Sequence, residues 1–121
     1  NKKIKNLDLI KIDVEGAEYK VIEGGKKVIK NFKPIMIIEI MKQNYSIKKN
    51  IFKLLKKKGY SSFYLSRKNL KLKACEFKDL SKLQSNIRKN KKNKNFFNQS
   101  YVQNFIFVHQ ENINKYNFLF N

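Results

Sequence analysis

Two short apolar runs, each carrying an acid at or next to its end, constrain this chain more than any other feature. LDLIKID (7–13) and PIMIIEI (34–40) are nearly continuous in hydrophobicity and rich in β-branched residues, as strands buried in a parallel sheet are. Between them the period changes. From Ala17 to Phe32, Val21, Ile22, Val28, Ile29 and Phe32 fall on one helical face and Lys20, Lys26, Lys27 and Lys30 mostly on the other. Strand, amphipathic helix, strand with short links predicts a right-handed crossover and parallel pairing. Gly25 lies on the apolar side of that helix. A helical glycine costs about 1 kcal/mol relative to alanine, so the Gly24–Gly25 pair predicts a close approach of the helix to a sheet.

The same alternation continues downstream. Lys33–Pro34 breaks the helix, and Pro34 stands at the first position of its strand, where no ladder hydrogen bond is lost. Ser46 is placed to cap a second helix, with Ile47, Ile51, Leu54 and Leu55 at i, i+4, i+7 and i+8, ended by Gly59. SSFYLSR (61–67) reads as a third strand and NLKLKA (69–74) as a short edge strand. Phe77, Leu80, Leu83 and Ile87 are spaced as a short helix, RKNKKNKN (88–95) opens a polar loop running to 98, and YVQNFIFVH (101–109) is a last strong strand. The tail carries Tyr116, Phe118, Leu119 and Phe120, which are expected to pack onto the body. The expected fold is α/β: parallel strands with helices, then a terminal antiparallel strand pair, half of a doubly wound domain.

At 121 residues and 41% hydrophobic content the chain has room for one small core. No run reaches bilayer-spanning length and no leader-type segment is seen. The single Cys75 excludes an internal disulfide and a multi-thiolate metal site, and its use suits a reducing cytoplasm. The chain begins with Asn1 and is already strand-like at residue 7, so an upstream part of a longer protein is expected. A formal charge of +19 raises nucleic acid as a partner, with the 88–95 run meeting phosphates and Phe96, Phe97 and Tyr101 stacking bases. Against it, the lysines are spread over every segment, Arg67 and Arg88 are the only arginines, and no nucleic-acid motif is present.

In so basic a chain, four of the nine acids, Asp13, Glu15, Glu18 and Glu23, fall within 11–25. Ligands of open α/β sheets bind beyond the carboxyl ends of the strands. If the first two strands are neighbours, Asp13, Glu15 and Glu39 converge on one rim. Three uses stay open there: a general base for a hydroxyl, an oxygen-rich site for a divalent cation, or acceptors for a polar substrate. Glu18 and Glu23 are read as surface charges favoured by the helix dipole and nearby lysines. His109 is read as a rim or core histidine and Cys75 as inert.

LDLIKIDVEGAEYKVIEGGKKVIKNFKPIMIIEI (7–40) resembles the FkbM-type methyltransferases, and KKKGY and NFIFV match more loosely. The resemblance implies a class I Rossmann-like domain using S-adenosylmethionine. LIKID, PIMIIEI, SSFYLSR and NFIFV would be its fourth to seventh strands, the seventh inserted antiparallel between the fifth and sixth. It further implies that residues 1–121 are the C-terminal half of that domain, with the main cofactor-binding motifs upstream. Asp13 and Glu15 would be catalytic, and Glu39 would bind substrate. The acceptor would be a hydroxyl on a sugar, glycolipid or small metabolite. The alternative for this chain alone is a non-catalytic interaction domain, whose unprotected first strand predicts marginal stability or self-association.

Overall fold

The computed structural model describes residues 4–41, 45–85 and 101–120. The predicted polar loop at 88–98, Ile87, and the stacking residues Phe96 and Phe97 lie outside the described residues. The strands are β1 (Leu9–Ile12), β2 (Ile35–Glu39), β3 (Tyr60–Ser66), β4 (Lys71–Ala74) and β5 (Asn104–His109). The helices are α1 (Glu18–Gly24), α2 (Lys26–Phe32), α3 (Tyr45–Lys57) and the single turn α4 (Leu80–Leu83). Short 3₁₀ turns precede α4 at Phe77–Asp79 and follow β5 at Gln110–Asn112 and Asn114–Leu119.

One mixed sheet runs in the order β1-β2-β5-β3-β4. β1 and β2 pair in parallel, with Ile12 opposite Ile38. β5 is antiparallel to both β2 and β3, and β4 closes the far edge antiparallel to β3. So β1, β2 and β3 share one direction, yet only the first two touch. The expectation of a parallel sheet is corrected to this extent: β5 occupies the place between β2 and β3, as the resemblance implied. Among the described residues β1 is an edge strand.

Alternation along each strand decides what is buried. Ile12, Met36, Ile38, Phe105 and Phe107 face the helices and join Ile22 of α1, Ile29 of α2, and Ile51, Phe52 and Leu55 of α3 in one cluster. Phe52 sits edge-on to both Phe105 and Phe107, with ring centroids 5.6 and 5.2 Å apart, a favoured aromatic geometry. On the opposite face the C-terminal tail supplies cover, and the Phe120 ring lies 4.8 Å from that of Phe63. Phe118 stays exposed. Asn112 donates to the Lys33 carbonyl at 2.9 Å, tying the tail to the end of α2.

Three local expectations change. The segment from Ala17 to Phe32 is two helices, bent at Gly25 (φ −82°, ψ 5°). Backbone hydrogen bonds continue across the bend, from the Gly25 N–H to Val21 O at 2.8 Å and from the Ile29 N–H to Gly25 O at 2.9 Å. A Cβ at Gly25 would stand 3.2 Å from Val21 O, so the glycine relieves contact with its own helix and not with the sheet; Gly24 borders open space. The bend also leaves Val21 and Val28 exposed, while Ile22 and Ile29 point to the core. Ser46 lies inside α3 and is not its cap.

Gly59 differs from Gly24 in kind. It ends α3 with φ +84°, and a Cβ there would come 2.9 Å from His109 Nε2. Both the left-handed backbone and the space exclude a side chain. Gly59→Ala is expected to lower the unfolding free energy by about 1–2 kcal/mol or more, whereas Gly24→Ala leaves it unchanged or raises it by up to about 1 kcal/mol. Phe105→Ala is expected to cost about 3–5 kcal/mol. Urea unfolding followed by circular dichroism reads all three.

Candidate functional site

The carboxyl ends of β1 and β2 emerge side by side because the two strands are in register over their full length. Asp13 follows β1, Glu39 ends β2, and Asn104 opens β5 directly opposite Glu39. Side-chain alternation puts Lys11 on the same face of the sheet as Glu39 and Asn104. Lys11 Nζ donates to Asn104 Oδ1 at 3.0 Å and approaches Asp13 Oδ2 at 3.4 Å.

The carboxyls of Asp13 and Glu39 are near enough to perturb each other's ionisation. Ionising one raises the cost of ionising the other. The Glu39 carboxyl holds Asp13 below the ordinary carboxylate range, with Lys11 assisting. Asp13 in turn raises Glu39, and desolvation and the negative charge of Glu15 add to the effect. Of the two, Asp13 therefore gives up its proton first. The two strand ends stand side by side, as the spacing of the apolar runs predicts.

Glu15 is delivered by strain. It has φ +47° and Gly16 has φ +104°, so the turn between β1 and α1 is left-handed at two successive residues. For a side chain bearing a Cβ this conformation costs about 1–3 kcal/mol and is typical of functional turns. The turn places Glu15 on the wall of a cleft of about 460 Å³ that also contains Glu18, Glu39, Lys48 and an apolar side of Ile40, Ile47 and Ile51.

Glu18 departs from the surface reading. It is 8% exposed, and its Oε1 accepts the Gly16 N–H at 2.9 Å. Its role at the start of α1 is still structural, but it lines the cleft. Glu23 is a surface charge, and its carboxylate one turn away raises the Tyr19 hydroxyl above its ordinary range. Lys48 was missed altogether. It is buried in α3, and the signal was its spacing: 48, 51, 52 and 55 form one helical stripe. Asn104 and Lys11 were missed because neither titrates or ligates in an obvious motif; only strand register reveals them.

His109 is a core histidine whose Nδ1 accepts the Glu111 N–H at 3.3 Å. Cys75 is buried, and loss of solvent pushes its thiol up to about 12, so at neutral pH it is not a nucleophile. Among the described residues no group of three or more His, Cys, Asp or Glu side chains is arranged to hold a metal ion, and no helix is long and apolar enough to cross a membrane.

A mixed α/β sheet with its acids on the carboxyl rim is the plan of a Rossmann-like enzyme. The Methyltransferase FkbM domain matches residues 1–62, which hold β1, β2 and all the rim acids, and the chain belongs to that family. No curated protein and no solved structure matches it.

The coupling of the two acids has a signature in pH. Glu39, raised in the fold, contributes stability at acid pH that is lost as pH rises through its folded value. Asp13, lowered, contributes stability present above its unfolded value and lost as pH falls through its folded one. Carboxyl ¹³C NMR titration is expected to show Asp13 ionising well before Glu39. In Asp13→Asn the Glu39 midpoint is expected to fall back toward the ordinary range; an unchanged midpoint would mean that the two groups are not coupled.

Proposed function

We propose that this chain carries the acceptor side of an S-adenosylmethionine-dependent O-methyltransferase, as the C-terminal half of its catalytic domain. The placing of Asp13 and Glu39 at the ends of adjacent parallel strands carries this reading, together with membership of the family. When bound, S-adenosylmethionine supplies an electrophilic methyl group on a positively charged sulfur, and the carboxylates along the cleft, Glu15, Glu18 and Glu39, suit that charge.

The residues of this chain act on the acceptor. Asp13, the more readily ionised member of the pair, is the base that accepts the hydroxyl proton as the oxygen becomes a nucleophile. Lys11 stabilises the anionic form of Asp13 and is itself held by Asn104. Glu39 fixes a second oxygen of the acceptor by hydrogen bonding. Glu15, held by its left-handed turn, orients the acceptor from the other side. Methyl transfer is an in-line displacement, so alignment supplies much of the rate. The apolar wall of Ile40, Ile47 and Ile51 limits water in the cleft.

Transfer of a labelled methyl group from S-adenosylmethionine to hydroxyl acceptors, measured with the full-length enzyme, tests this. Asp13→Asn is expected to lower kcat by about 10²–10⁴-fold, the usual contribution of a positioned base. Glu15→Gln is expected to lower kcat/KM with a smaller effect on kcat. Wild-type turnover in both variants would refute the assignment.

A further inference from the structure

The rim that carries the acids continues into a second cleft of opposite charge. β3 ends at Ser66 on the same side of the sheet as the end of β2, and the chain turns back through Arg67–Leu70 into β4. The Leu70 N–H closes this turn on Ser66 O at 2.8 Å. Beside the turn lies a cleft of about 550 Å³, in the range of small-molecule sites, with Arg67, Lys68, Lys82, Tyr64, Tyr101 and Asn104 among its lining. Among the described residues three cations meet there and no carboxylate lines it. None of the three is ion-paired among the described residues.

The wall is braced from beneath. Gln84 is 2% exposed, and its Nε2 donates to Ile40 O at 2.7 Å and Val102 O at 2.9 Å. It thereby ties α4, which carries Lys82, to the end of β2 and the approach to β5. Asn104 lines the basic cleft, accepts from Lys11, the partner of Asp13, and stands opposite Glu39, which lines the acidic one.

We propose that this basic cleft binds the phosphate of the acceptor, which is therefore a hydroxyl-bearing phosphate ester of the sugar-phosphate class. Arg67 offers a planar, permanently charged fork that suits phosphate oxygens, and arginine is scarce in a chain whose charge is almost all lysine. Lys68 and Lys82 add two point charges, and the rings of Tyr64 and Tyr101 offer flat faces for a sugar. A molecule anchored here by its phosphate extends along the rim past Asn104 and presents a hydroxyl to Asp13. The assignment of the acceptor rests on the methyl-transfer reading, whereas the anion site is measurable without turnover.

Calorimetric titration at constant ionic strength tests it, using glucose 1-phosphate, inorganic phosphate and glucose as probes. Glucose 1-phosphate is expected to bind, inorganic phosphate to compete with it, and glucose not to bind. Replacing Arg67, Lys68 and Lys82 together by alanine is expected to weaken glucose 1-phosphate by at least about tenfold. The charge-matched control, Lys49, Lys53 and Lys56 replaced by alanine on α3, is expected to change it by less than about twofold, because distant exposed charges are screened. Asp13→Asn is expected to bind as wild type while losing methyl transfer, which separates this site from the reaction. Equal weakening in the two triple variants would show diffuse attraction to a basic protein and overturn the proposal. So would failure of the wild-type protein to bind the phosphate ester.

Discussion

Burial of one sheet face holds two like-charged groups together, and the site depends on that. Ile12 and Ile38 sit opposite each other in the parallel pair and share a core with Phe105 and Phe107. A slip of one residue would turn every apolar side chain of a strand to the wrong face. The register is therefore pinned by hydrophobic burial, and the residues just beyond it have no choice of neighbour. Asp13 and Glu39 accept each other's company because the apolar residues before them cannot be placed elsewhere. The ammonium of Lys11 beside Asp13 lowers the electrostatic cost of the pair.

Charge in this chain is uneven in space more than in amount. With a formal charge of +19, any exposed surface is basic by default, so the departures carry information. One is the carboxylate-lined cleft beside α1. Its acids are held by a strained turn at Glu15 and a buried hydrogen bond at Glu18, both of which cost stability or freedom that a solvated acid would keep. The other is the group of Arg67, Lys68 and Lys82 beside the β3–β4 turn, where no carboxylate stands among the described lining residues.

Much of the architecture was legible because it rests on periodicity. LIKI and IMIIE could be read as strands, the stripe of Ile47, Ile51 and Leu55 as a helix face, and the strand-end acids as neighbours, since each follows from local pattern plus the rule that parallel strands align their carboxyl ends. The bend at Gly25 was not legible: an added Cβ would crowd Val21 O of the preceding turn, a constraint that composition represents only as a weak helix former. Glu18 was misplaced for a related reason. An acid in a first helical turn is favourable whether solvated or buried, and only the Gly16 N–H turning back on it shows which.

From its residues alone the chain declared its α/β character, its family, and the acids at the ends of its first two strands, because hydrophobic period and the placing of acids after apolar runs are local properties. The partnership of Asp13 with Glu39, the bridge from Lys11 to Asn104 at a separation of 93 residues, the burial of Lys48, and the basic cleft assembled from the β3–β4 turn, α4 and the approach to β5 belong to tertiary structure. The bridge to Asn104 and the basic cleft form only when β5 inserts between β2 and β3, and no local preference encodes that insertion.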